Sequence, residues 1–142
     1  MKFHPQLLAL LTAMAWGIGG FFEKKGLHLG NLSPQMGITI RTATALVILG
    51  LVSYPEWKTL AQAPPKALLM MVVGGGIVAG AAGMLSFYAA IKGAPLSQVM
   101  PIAFTSPLFG ALMGLLFGTE SLTPKTAIGA LLTIGGIVLL TL

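Results

Sequence analysis

The chain contains no cysteine and no aspartate, and its only acidic residues are three glutamates. Without cysteine there is no disulfide framework, no thiol nucleophile and no thiolate metal site. Charged residues make up 8% of the sequence, against about 25% in an ordinary soluble domain. A soluble fold this poor in charge would have little with which to cover its surface. Glu23, Glu56 and Glu120 all fall at the ends of apolar runs or between them. A cation antiporter of the small multidrug type needs a carboxylate near the middle of a span, so that chemistry is disfavoured. There is no nucleophile–base–acid constellation for an intramembrane enzyme and no phosphate-binding loop for direct ATP hydrolysis. His4 and His28 stand singly, so no metal or other cofactor is expected. The formal net charge of +5 comes from eight scattered Lys and Arg residues. Nucleic-acid binding would need a basic face with groove-reading residues, and none is present.

What the sequence has is apolar length. Hydrophobic residues make up 56% of it and the mean hydropathy is +0.93. Runs of about 20 apolar residues mark membrane-spanning helices. Five can be drawn, at about residues 6–22, 34–53, 66–92, 95–118 and 124–142. The expected fold is an all-α integral membrane bundle of five transmembrane helices in one domain, set in the lipid bilayer of the cell inner (plasma) membrane. Ser33-Pro34 opens the second span with an N-cap followed by proline at the first helical position. Tyr54 and Trp57 suit the headgroup level. The first span has a rival reading as a signal peptide, with Lys2 before the run and "AMA" as a cleavage site. Against it, the apolar run continues past "AMA" through Trp16 to Phe22.

An odd number of spans puts the termini on opposite sides. Lys2, Lys58, Lys66 and Lys125 lie on one side. Lys24, Lys25 and Lys92 lie on the other, with Arg41 as a possible fourth. Orientation normally follows a Lys/Arg excess on the cytoplasmic side, and here the excess is one or zero. Two readings stay open: a weak bias selecting one orientation, or dual topology with copies paired antiparallel. Small residues recur at four-residue spacing, as in Gly76/Gly80, Ala79/Gly83 and Gly110/Gly114/Gly118. Such stripes let helix backbones approach closely in lipid. The uniformly apolar fifth span, with Gly129, Gly135 and Gly136, is the best candidate for a seam between copies.

Two features break the apolar pattern. In "FTSPLFG", Pro101 and Pro107 each remove a backbone donor and crowd the carbonyl four residues earlier. Thr105 and Ser106 could satisfy the freed backbone locally. Alternatively, the interruption marks a substrate site, as broken helices do in transporters, with Gln98 adding an amide. Trp16 and Tyr88 are deep aromatics with polar tips that either line such a cavity or fill helix contacts. The second feature is Arg41, seven residues into the second span and roughly 10 Å along its axis. It pairs with Glu23, serves cavity electrostatics, or snorkels to the interface.

In order along the chain, "AWGIGGFFEKKGL", "SPQMGITIRTATALVILGL" and "LSFYAAIKGAPLSQVMPIAFTSPLFGALMGLLFGTESLTPKTAIGALLTIGGIVLL" resemble a single EamA domain of the drug/metabolite transporter superfamily. The likeness rests on the Trp-Gly, the second-span Arg, the fourth-span Ser-Pro and the Gly-x-Glu-x-Leu-Thr hinge. It implies a five-helix repeat that works as one of an inverted pair around a substrate cavity, exporting amino acids or other metabolites. The expectation is a transporter of a small polar, amino-acid-like metabolite, made whole by a second copy of itself. Its cavity would lie between the two fourth spans, floored by Gln98, Thr105 and Ser106 and walled by Trp16 and Tyr88. A flippase, or flippase subunit, for a lipid-linked substrate is the second reading. A non-transport assembly or anchor protein is the third.

Overall fold

The computed structural model describes residues 4–118 and 123–141. Glu120 and most of the Gly-x-Glu-x-Leu-Thr stretch, like Lys2, lie outside the described residues. Among those described, the chain is helical throughout its regular structure: α1 (Pro5–Leu29), α2 (Pro34–Val52), α3 (Trp57–Gln62), α4 (Pro65–Gly93), α5 (Leu96–Ala103), α6 (Ser106–Leu116) and α7 (Pro124–Thr141). Pro5–Leu29, Pro34–Val52, Pro65–Gly93 and Leu96–Leu116 are long and apolar enough to cross a membrane, and a shorter apolar helix follows at Pro124–Leu140. This is an all-α membrane bundle. Leu, Ile, Val, Met and Phe side chains stand exposed along every long helix. Such faces would aggregate in water but suit lipid, which is as apolar as they are.

The chain divides into two compact units, Met1–Gly93 and Ala94–Leu142. In the first, α1, α2 and the final third of α4 (Met84–Gly93) pack on one another. Their shared core is Gly20, Leu27, Ile38, Tyr88 and Ile91. In the second, α5 packs against α7, with Val99 buried.

The turn from α1 to α2 is specified locally. Pro5 starts α1, where a missing N–H costs nothing. The helix runs past Phe22 to Leu29, so Glu23, Lys24 and Lys25 are helical rather than loop residues. It ends in a Schellman arrangement: Asn31 N–H donates to His28 O at 3.2 Å, and Leu32 N–H donates to Leu27 O at 2.9 Å. Asn31 carries this with φ 45°, a left-handed conformation that asparagine tolerates better than most residues. Two residues later Ser33 caps α2, its Oγ accepting from Met36 N–H at 3.2 Å. A connection this short forces α1 and α2 to run antiparallel side by side.

Beyond α2, Tyr54–Glu56 forms a 3-10 turn leading into α3. The Trp57 indole donates to Ser53 Oγ at 3.1 Å, and its ring lies 5.9 Å from that of Tyr54. Both aromatics are exposed, as interfacial anchors are. Within α4 the turns widen to π-helical geometry over Met71–Gly83. That stretch is glycine- and alanine-rich, so few side chains resist the wider winding.

Candidate functional site

The α1–α2 turn sets the height of two charges. Glu23 precedes the α1 C-cap Gly30 by seven residues, and Arg41 follows the α2 N-cap Ser33 by eight. At about 1.5 Å per residue both lie roughly 10–12 Å from the turn. The antiparallel helices thus bring them level, and Arg41 Nε lies 2.9 Å from Glu23 Oε1. The pairing anticipated for Arg41 is present, and Arg41 also faces a cavity. The two readings are compatible.

The third helix of the unit brings Tyr88 to the same place. Two lysines tie its end to α1 and to the α1–α2 turn: Lys92 Nζ donates to Leu32 O in the turn at 2.6 Å, and Lys24 Nζ on α1 donates to Ile91 O at 2.7 Å. These bonds satisfy carbonyls near a helix end and a turn that apolar surroundings would otherwise leave bare. Tyr88 stands five residues before Gly93, about 8 Å inward. Its side chain is 2% exposed, within electrostatic reach of both Glu23 and Arg41.

Gly37 makes this approach possible. A Cβ at that position would lie 2.8 Å from both Cδ1 and Cε1 of Tyr88 and 2.5 Å from Leu27 Cδ2. Only a residue without a side chain lets the tyrosine ring lie against the α2 backbone. Gly37 precedes Arg41 by four residues and so shares its helix face. That spacing was the available signal, and reading the sequence for charge and hydroxyls alone passes over it.

Together Glu23, Arg41 and Tyr88 line a cavity of about 270 Å³, whose other walls are Phe22, Gly26, Leu27, Leu32, Gly37 and Ile40. The pocket is an apolar cleft with a few convergent polar groups, the usual make-up of a small-molecule site. The Arg41 and Glu23 side chains are 39% and 22% exposed, so the pair is reachable rather than sealed. Among the described residues, no group of three or more His, Cys, Asp or Glu side chains is placed to hold a metal ion.

The other residues singled out from sequence sit elsewhere. Trp16 lies on α1, 55% exposed, and does not line this cavity. Gln98 is exposed on α5. The break anticipated in the fourth span falls at Phe104–Thr105, between α5 and α6. Pro107 occupies the first turn of α6, where its missing N–H is harmless, and Pro101 stays inside α5. Thr105 Oγ1 donates to Ile102 O at 2.8 Å, so this hydroxyl serves its own segment. Ser106 is exposed at the start of α6.

That arrangement separates the roles of the two hydroxyls. Thr105→Val removes a local hydrogen bond and is expected to lower stability by about 1 kcal/mol, leaving transport per folded molecule unchanged. Ser106→Ala costs little stability, and a loss of transport there would mark a substrate contact. Pro107→Ala, which permits a continuous helix, should slow transport more than it weakens binding if the break acts as a pivot. Unchanged rates in all three variants would make the break purely architectural.

The family model described as the EamA-like transporter family matches residues 5–142. The chain is 29% identical over 136 residues to an uncharacterised protein of Methanocaldococcus jannaschii; the match covers 96% of this chain and 95% of that one. No solved structure matches.

Proposed function

The chain belongs to the EamA-like transporter family, and on that footing we propose that it moves a small polar, amino-acid-like metabolite across the inner (plasma) membrane as an antiparallel pair of identical copies. The observation that carries this reading is the cavity at Glu23, Arg41 and Tyr88. An ion pair and a phenol roughly 8–12 Å inside the helices are costly to keep among hydrocarbon, and such groups mark ligand pathways. Within the second unit, the interrupted helix at Phe104–Thr105, with Gln98, Ser106 and Pro107 around it, serves in this reading as a point of flexure.

The antiparallel pair is supported by the near-balance of Lys and Arg between the two sides. A seam between copies would use the small-residue face of α7, where a Cβ at Gly129, Gly135 or Gly136 meets no atom within 4 Å. A flippase for a lipid-linked substrate is the competing activity within the same family.

Two measurements test the proposal. Purified protein in liposomes should take up at least one solute from a panel of amino acids and other small polar metabolites. Lipid scrambling without solute uptake would replace this reading by the flippase. A C-terminal reporter active only in the cytoplasm, and a second active only outside, should both give signal. One signal alone, unmoved by a lysine added to either side, would end the antiparallel homodimer.

A further inference from the structure

We propose that the α1–α2 turn end of the first unit binds the headgroup of an anionic phospholipid, held by Lys24, Lys25 and Lys92, with an acyl chain beside Phe21. The inference goes beyond the transporter reading and does not depend on it. Within Met1–Gly93 the carboxylates are Glu23 and Glu56. Glu23 lies 2.9 Å from Arg41, and Glu56 follows α2 at the opposite end. With Arg41 and Glu23 matched, three lysine charges remain at the turn end. Among the described residues of the other end, Lys58 and Lys66 are accompanied by Glu56.

The fold gathers the three lysines from two helices. Lys24 Nζ on α1 donates to Ile91 O, and Lys92 Nζ on α4 donates to Leu32 O in the turn. A carbonyl carries no net charge and an ammonium has three donors, so these bonds fix both groups in place without cancelling their charge. Lys25 is exposed beside Lys24. His28, also exposed, follows Lys24 by four residues and shares its face, where its ring N–H adds a donor. Like charges gathered in this way repel one another, and a bound anion relieves that repulsion.

The height suits a phosphate. Lys24 and Lys25 precede Gly30, the α1 C-cap, by six and five residues, about 8–9 Å along the axis. The polar headgroup region is roughly 5–8 Å thick on each side of the hydrocarbon, and lysine side chains extend toward it. Phe21 is 55% exposed. It precedes Lys24 by three residues and Lys25 by four, so it lies on their side of α1, one turn deeper. Cations above an exposed ring are complementary to a molecule with an anionic head and an apolar tail. A free phosphate leaves Phe21 unused, and a zwitterionic headgroup brings its own cation against the lysines.

The test uses the full chain in a neutral detergent, with dioleoylphosphatidylglycerol or dioleoylphosphatidylcholine titrated in and retained lipid counted by native mass spectrometry. The anionic lipid should bind at least about ten-fold more tightly than the zwitterionic one. Lys25→Gln should weaken its binding about five-fold, the factor that corresponds to about 1 kcal/mol per lysine near an anionic lipid. Lys58→Gln, the same exchange at the opposite end, should leave binding unchanged. Both lysines are exposed, so neither exchange removes a buried contact. Inorganic phosphate should displace the lipid no better than chloride at equal ionic strength. Equal retention of the two lipids overturns the proposal. Equal weakening by the two variants overturns it as well, by reducing the effect to net charge. Displacement by phosphate beyond that by chloride would make this a site for soluble anions and end the lipid assignment.

Discussion

Gly37→Ala is expected to destabilise the first unit, although alanine is the better helix former. A Cβ there would stand 2.5 Å from Leu27 Cδ2 and 2.8 Å from two atoms of the Tyr88 ring. The leucine methyl can swing away. The ring cannot easily follow, because Tyr88 is 2% exposed and packed between helices. Overpacking of this kind costs about 1–3 kcal/mol, more than the roughly 1 kcal/mol that alanine gains over glycine in a helix. Gly50→Ala supplies the control. It lies on the same helix, and its added Cβ would meet nothing within 4 Å, so the propensity gain should survive intact. Thermal unfolding in detergent should therefore move in opposite directions for the two variants, by several degrees for Gly37→Ala. Equal shifts would mean that Tyr88 does not rest on the α2 backbone as described.

The second large effect is expected from the ion pair. Arg41→Ala leaves the Glu23 carboxylate, 22% exposed, without its partner. Removing one member of a fully buried pair costs about 3–5 kcal/mol. This pair is partly exposed rather than sealed in protein, so the expected cost is at the lower end of that range, about 3 kcal/mol. Glu23→Gln should cost a similar amount by stranding Arg41. The double variant Glu23→Gln with Arg41→Ala should be milder than either, because no charge is left without a counter-ion. The measurement is the fraction of monodisperse protein after heating in detergent, with all four versions side by side. A double variant as unstable as the sum of the singles would show that the two residues act independently, and the pairing would then carry no energetic weight. Transport lost in the double variant while the fold survives would assign the pair to the ligand rather than to stability.

The Arg41–Glu23 pairing was within reach of sequence reasoning because its cause is local. Ser33-Pro34 starts one helix, the stretch before it must turn, and the two charges fall at nearly equal distances on either side. The break in the fourth span was legible for the same reason, since proline at 107 cannot donate to the carbonyl of Ala103. Its placement was less so. The interruption settles at Phe104–Thr105, which puts Pro107 in the first turn of the next helix, where it is tolerated.

From its residues alone this chain had to be a membrane-embedded helical protein. The scarcity of charge and the length of its apolar runs are properties of composition and order, and no packing arrangement can alter them. The resemblance to EamA domains likewise lay in the linear order of its motifs, and residues 5–142 belong to that family. Which polar groups meet was decided only in three dimensions. Tyr88 lies 47 positions from Arg41 and 65 from Glu23 in the chain, so no periodicity connects them. They share a cavity because α4 returns along α1 and α2, because Lys24 bonds to the Ile91 carbonyl near its end while Lys92 bonds back to the Leu32 carbonyl of the α1–α2 turn, and because Gly37 leaves room for the ring. A missing side chain leaves little trace in a sequence read for charge and hydroxyls. Its consequence is an approach between backbone and ring that depends on where the neighbouring helix runs, and that is settled by packing.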